Sequence, residues 1–112
     1  MGIIKDVKID SHIGEVEEEL KEKVFDWLDA IGLDAASTAA SKAPVDTGRL
    51  KNSIDRAVVQ EEQAVYIGTN VEYAPYQEFG TSRGIAGKHF LQFGATAHID
   101  EYKQMLEQTL KE

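Results

Sequence analysis

The chain has 112 residues, with 20 acidic and 12 basic side chains, a net charge of −8 and no cysteine. That length suits one domain with one modest core, a size at which part of the apolar surface can be left for a partner. The charge argues against a phosphate-backbone binder, and the missing thiols exclude disulfides, a thiolate nucleophile and Cys-ligated metal. No apolar run approaches a membrane span and the first residues lack a leader's layout, so a protein made and kept in the cytoplasm until it joins something larger is expected.

In chain order, Ile3-Ile4-Lys5-Asp6-Val7-Lys8-Ile9 reads as a short edge strand or an arm. Asp10 or Ser11 is the expected helix cap, because either side chain accepts a bond from the orphan amides of a first turn. Ile13, Val16, Leu20, Val24, Trp27, Leu28, Ile31 and Ala35 then recur at three- and four-residue steps, which predicts a long helix with Trp27 on its buried face. Glu15, Glu17, Glu18 and Glu19 crowd its start, where the macrodipole favours negative charge, and Lys21 and Lys23 lie within one turn of them. This run reads as a solvated face.

Gly32 reads as an interruption costing about 1 kcal/mol relative to Ala. The small residues from Ala35 to Ser41 predict close approach to the sheet or to a neighbouring subunit. Pro44 ends the helix by pushing Ala43 out of the α region, and an uninterrupted helix would run roughly 40 Å.

Asp46 or Thr47 is expected to cap a short turn containing Leu50. Residues 53–60 and 64–69 read as two strands of a hairpin, joined by Glu61, Glu62 and Gln63. Gly68 and Asn70 suit bends or positive φ. Residues 73–79 read as a helical turn with Pro75 near its start. The Gly-rich stretch 80–88 reads as a mobile loop. Phe90, Leu91 and Phe93 are expected to re-enter the core, and a last helix follows with Ile99, Tyr102, Leu106 and Leu110 on one face and Met105 beside it. There is no internal repeat and no linker, so 1–112 reads as a single domain.

Candidate chemistry is thin. Asp46-Thr47-Gly48 matches the triplet of retroviral-type aspartic proteases, in which two like-charged aspartates share a proton across a dimer axis. Its context is wrong, since it follows an Ala-rich helix and a proline rather than a buried strand, and a turn is the better reading. His12, His89 and His98 have no metal-ligand spacing. There is no Gly-x-Ser-x-Gly elbow, no phosphate-cradling loop and no Rossmann spacing. No catalytic, metal or cofactor residue is therefore assigned. The tyrosines and phenylalanines from Tyr66 to Phe93 read as core or core rim, with an interface as the alternative. Arg49, Lys51 and Arg83 read as solvated charge, or as inter-subunit partners of the acidic first helix.

Two blocks carry more information. Ala43-Pro44-Val45-Asp46-Thr47-Gly48-Arg49-Leu50 runs on to Ser53-Ile54, and Ile67-Gly68-Thr69-Asn70-Val71 runs on through Tyr73-Ala74 to Glu78-Phe79-Gly80-Thr81. With the long helix ahead of them, in this order, they resemble the tail-component family of long-tailed bacteriophages, the small head–tail joining or tail-completion proteins, over roughly residues 10–110. His89, Gln92 and Phe93 depart from that family's Pro-Phe-Leu-Arg-Pro segment, of which Phe90 and Leu91 remain. The resemblance implies a non-enzymatic phage or prophage structural protein in the virion. It implies a homo-oligomer, a hexameric ring being the expected form, and contact with connector and tail-tube proteins. No cofactor, nucleic-acid specificity or membrane role is implied.

The expected fold is α+β, a small antiparallel sheet of three or four strands packed by the long N-terminal helix and the C-terminal helix. Pro44, Asp46, Thr47, Gly48, Leu50, Gly68, Asn70, Tyr73 and Gly80 are the expected turn-forming residues. Arg49, Tyr76, Glu78, Phe79, Thr81 and Arg83 are the expected subunit interface. The rival reading is a bacterial protein-binding adaptor, with the aspartic protease a distant third.

Overall fold

Alternation along the central strand organises the molecule. In β3 (Ala64–Gly68) Val65 and Ile67 are fully buried while Tyr66, between them, faces the other way. β3 pairs antiparallel with β1 (Val7–Asp10) on one side and β2 (Asp55–Val59) on the other, giving a three-stranded sheet of order β1-β3-β2. The register sets Ile9 and Val58 opposite Val65, and Val7 and Arg56 opposite Ile67. These side chains share the face that packs on α1 (Glu18–Lys42). The computed structural model describes residues 7–11, 13–14, 17–43, 48–71 and 90–111, the side chain of Arg49 excepted. The fold is α+β, and of the expected first strand the described residues, from Val7, form an edge strand, while residues 3–6 lie outside the described residues.

α1 starts later than the capping residues suggest. Gly14 takes a left-handed φ of 80°, which breaks the helical path after Asp10 and Ser11. Ser11 Oγ accepts from the Ile13 amide at 3.4 Å instead, and the N-cap position falls to Glu17, without a side-chain cap. The far end matches expectation: Lys42 is the last helical residue and Ala43 is extended at ψ 144°.

Gly32 does not interrupt the helix. A Cβ there would lie 2.5 Å from Val65 Cγ2 and 2.9 Å from Arg56 Cγ, so its cost in helix propensity is offset by close approach of the sheet. Within the chain, the close approach expected along the small-residue half of α1 comes from a helix rather than from the sheet alone. That half receives α3 (Phe90–Thr96), where a Cβ on Gly94 would stand 2.5 Å from the Ala35 carbonyl oxygen and 2.6 Å from Ala39 Cβ.

The expected last helix is present as α4 (Ile99–Lys111), and the segment that re-enters the core ahead of it is itself helical, α3, separated from α4 by a turn at Ala97 and His98. Phe90 and Leu91 enter the core. Phe93 stays 39 % exposed because Gly94 and Ala95 occupy the inner face of α3, and the Lys42 ammonium sits over its ring at 4.9 Å. On α4 only Tyr102 is buried. Leu106 is half-buried, and Ile99 and Leu110 are exposed, because the helix is anchored at its first turn. There Trp27 Nε1 donates to the Tyr102 carbonyl at 2.9 Å, and Tyr102 Oη donates to Asp34 at 2.7 Å.

Candidate functional site

The expected turn residues fall into three groups. Gly48 takes a left-handed φ of 78° and occupies the N-cap position of α2 (Arg49–Ser53), the place expected for Asp46 or Thr47. Leu50 on α2 is buried in the core. Gly68 and Asn70 have no left-handed backbone. Gly68 pairs with Asp55 as the last residue of β3, Asn70 is exposed, and the left-handed residues among those described are Gly14, Gly48 and Gln63. Pro44, Asp46, Thr47, Tyr73, Tyr76, Glu78, Phe79, Gly80, Thr81 and Arg83 lie outside the described residues, with the expected 73–79 turn and 80–88 loop. Arg49 opens α2 through its backbone alone.

Buried polar groups around this block are locally satisfied. Thr69 is fully buried, accepts from the Val71 amide at 3.1 Å and shares a hydrogen bond with the Ser53 hydroxyl. Ser53 Oγ also bonds to the Leu50 carbonyl at 2.7 Å. This network ties the end of α2 to the chain leaving β3, which is a scaffolding role. Among the described residues no cluster of His, Asp and Glu could hold a metal ion. His98 stands 3.4 Å from Asp34 and meets the Tyr102 ring edge-on, with centroids 6.3 Å apart.

The charged side chains separate along the molecule, whose long axis spans 50 Å. At the N-cap and in the first half of α1, Glu17 and then Glu18, Glu19, Glu22, Asp26 and Asp29 stand against Lys21 and Lys23. The 3-10 turn between β2 and β3, Gln60–Glu62, adds two more carboxylates beside that half. Between helix and turn lies a groove of about 610 Å³, floored by Val24, Phe25 and Leu28 and rimmed by Glu18, Glu22 and Glu61, with Lys21, Gln60 and Gln63 completing its lining. Lys21 pairs with Glu18 at 2.9 Å. The opposite end carries Lys42, which closes α1, and Lys51, exposed on α2, with Asp55 at the start of β2 paired to Arg56. α2 leads into the end of β2 farthest from the turn.

The turn that forms one wall of the groove is clamped. Gln63 holds a left-handed φ of 50° and donates from Nε2 to the Gly14 carbonyl at 2.5 Å, while its own carbonyl accepts from the Ser11 amide at 3.1 Å. Glu62 accepts from Tyr66 Oη at 2.6 Å and pairs with Lys8 Nζ at 3.0 Å. Those bonds hold the Tyr66 phenol and the Lys8 ammonium in their protonated forms, so both pKa values are raised. Along the sheet, Arg56 binds both carboxylate oxygens of Asp29, at 3.1 and 3.3 Å, and Asp55 at 3.2 Å. The Asp29 bond first, then that of Asp55, raises the guanidinium pKa further.

Phe25 and Gln60 carry no role in the sequence reading, and Gln63 appears there only as part of the hairpin connection. Phe25 is a large aromatic standing off the buried stripe within the charged half of α1, and that is the signal which marks the groove. Among the described residues no helix is long and apolar enough to cross a membrane. Compared with known proteins, residues 8–80 match a family model described as "Bacteriophage HK97-gp10, putative tail-component". The match ends at residue 80, ahead of residues 89–93. No curated protein and no solved structure matches the chain.

Proposed function

The chain belongs to the HK97-gp10 tail-component family of bacteriophages, and from that premise we propose that this structural tail protein acts in head–tail joining or tail completion. It does so as a non-catalytic, ring-forming subunit of the virion, a single domain over 1–112, with a hexamer as the expected ring. The observation that carries the ring is the opposition of charge between the two ends of the chain. A surface that meets a different surface on the next copy forms a heterologous contact, which closes into a ring when the rotation allows. The interface residues expected from the sequence, Arg49, Tyr76, Glu78, Phe79, Thr81 and Arg83, remain part of this proposal, with connector and tail-tube proteins as the neighbours above and below.

Inactivating the gene in the phage or prophage that carries it, then imaging the particles, tests this reading. Filled heads beside finished, unattached tails are the expected result. Normal infectious particles would overturn it, and tails of abnormal length would reassign the protein to tail-tube assembly. Flanking genes for a portal, a capsid subunit and a tail tube are expected. Metabolic neighbours alone would favour the adaptor reading. Deleting residues 81–87 should leave the fold stable while joining fails.

A further inference from the structure

We infer that the groove beside Phe25 is the socket for Lys51 on α2 of a second copy of this chain, an inference that rests on the ring-forming reading above. The socket has what a lysine side chain uses. Val24, Phe25 and Leu28 offer an apolar floor for its methylene stem, and Glu22 and Glu61 stand on either side for its ammonium. The Phe25 ring adds a face for the cation. The acidic rim repels phosphate and carboxylate groups, which selects a basic protein surface over nucleic acid or an acidic partner.

The chain cannot fill its own socket. From Glu22 to Lys42 along α1 is about 30 Å, and α2 lies beyond Lys42 in sequence and at the far end of β2 from the groove-lining turn. β2 itself spans about 17 Å. Socket and plug are therefore at opposite ends of one protomer, and filling both on every copy is a head-to-tail contact. The socket is also stiff before it is filled, because Gln63 and Glu62 clamp the turn that carries Glu61. A preformed wall loses little freedom on docking.

The absence of native cysteine makes a disulfide test clean. Gln60→Cys lies on the groove wall and Asn52→Cys beside Lys51. Both positions are exposed, and neither substitution removes a charge the contact uses. Under mild oxidation, a mixture of the two single variants should give cross-linked dimer on the order of tenfold above a Gln60→Cys and Gln108→Cys mixture, since docking raises the local thiol concentration. The double variant should give a ladder beyond dimer. Adding Glu22→Lys to the Gln60→Cys chain should suppress the product, and adding Lys51→Glu to the Asn52→Cys chain should restore it.

Three results would overturn the inference. One is cross-linking no better than the control while light scattering still finds wild-type oligomers, which moves the contact elsewhere and leaves the ring reading standing. Another is no cross-linking from a chain that is monomeric at every concentration and in virions lacks neighbouring copies, which removes the ring reading too. The third is preferential pairing of Gln60→Cys with itself, which would make the contact two-fold rather than head-to-tail.

Discussion

The two halves of α1 are made of different material and meet different neighbours. From Ile31 to Ala43 the buried positions are Gly, Ala and one Ile, and they let α3 settle within backbone contact at Gly94. From Glu18 to Asp29 the helix carries most of its charge, and its Phe25 flank is only half covered by the β2–β3 turn. The first arrangement completes a core within one chain. The second leaves an apolar floor with charged walls, which fits a surface meant for another molecule. One helix thus serves as internal scaffold at one end and as candidate interface at the other, and the difference lies in side-chain size as much as in polarity.

The sharpest way to break this contrast is to attack the packed half. Phe90 is fully buried beneath the small-residue stretch, so Phe90→Ala should cost about 3–5 kcal/mol, read as a lower urea midpoint. A substitution that adds rather than removes volume comes next. In Gly94→Ala the gain in helix propensity is about 1 kcal/mol, yet the new Cβ meets a backbone oxygen that cannot swing away, so a net loss on the order of 1–2 kcal/mol is expected. If Gly94→Ala were stabilising, α3 would not sit against α1 as described.

Tyr102→Phe addresses the anchor of α4 and should cost about 1 kcal/mol at neutral pH through the lost bond to Asp34. Its pH dependence has a definite sign. Burial first, then the Asp34 bond, raises the Tyr102 pKa above the ordinary tyrosine value of 10.0. The unfolded chain therefore releases that proton first, so the contribution is whole below about pH 10 and is lost as pH rises beyond it. Denaturant titrations at pH 8 and pH 11 should show wild type losing more stability than Tyr102→Phe over that interval.

The smallest effect on stability belongs to the charged half. Glu22→Lys, on an exposed position, should leave unfolding free energy within about 0.5 kcal/mol of wild type. The same variant should weaken self-association in light scattering, and added salt should do likewise to wild type. A Glu22→Lys chain that unfolds much more easily would mean that this half, too, is scaffold.

Much of this architecture is legible along the chain because it depends on local periodicity. The stripe through Val24, Trp27, Leu28 and Ile31 marks α1, Pro44 marks its end, and β-branched runs around a polar connection mark the β2–β3 hairpin. The order of motif blocks also suffices to identify the family. Three things required the tertiary structure. Gly32 and Gly94 look like weak helix positions until the sheet and α3 are placed against them, because the reason for a missing side chain lies in a distant neighbour. The break after Asp10 depends on a left-handed Gly14, and the local cap signals at Asp10 and Ser11 compete with strand pairing, which takes Asp10 to β1. The groove at Phe25 joins residues more than thirty positions apart, from a helix and a turn. Local sequence determines which segments are helix and strand, since backbone preference and side-chain period act over a few residues. Only packing decides which of their surfaces remain open, since burial is a property of pairs of elements rather than of either one.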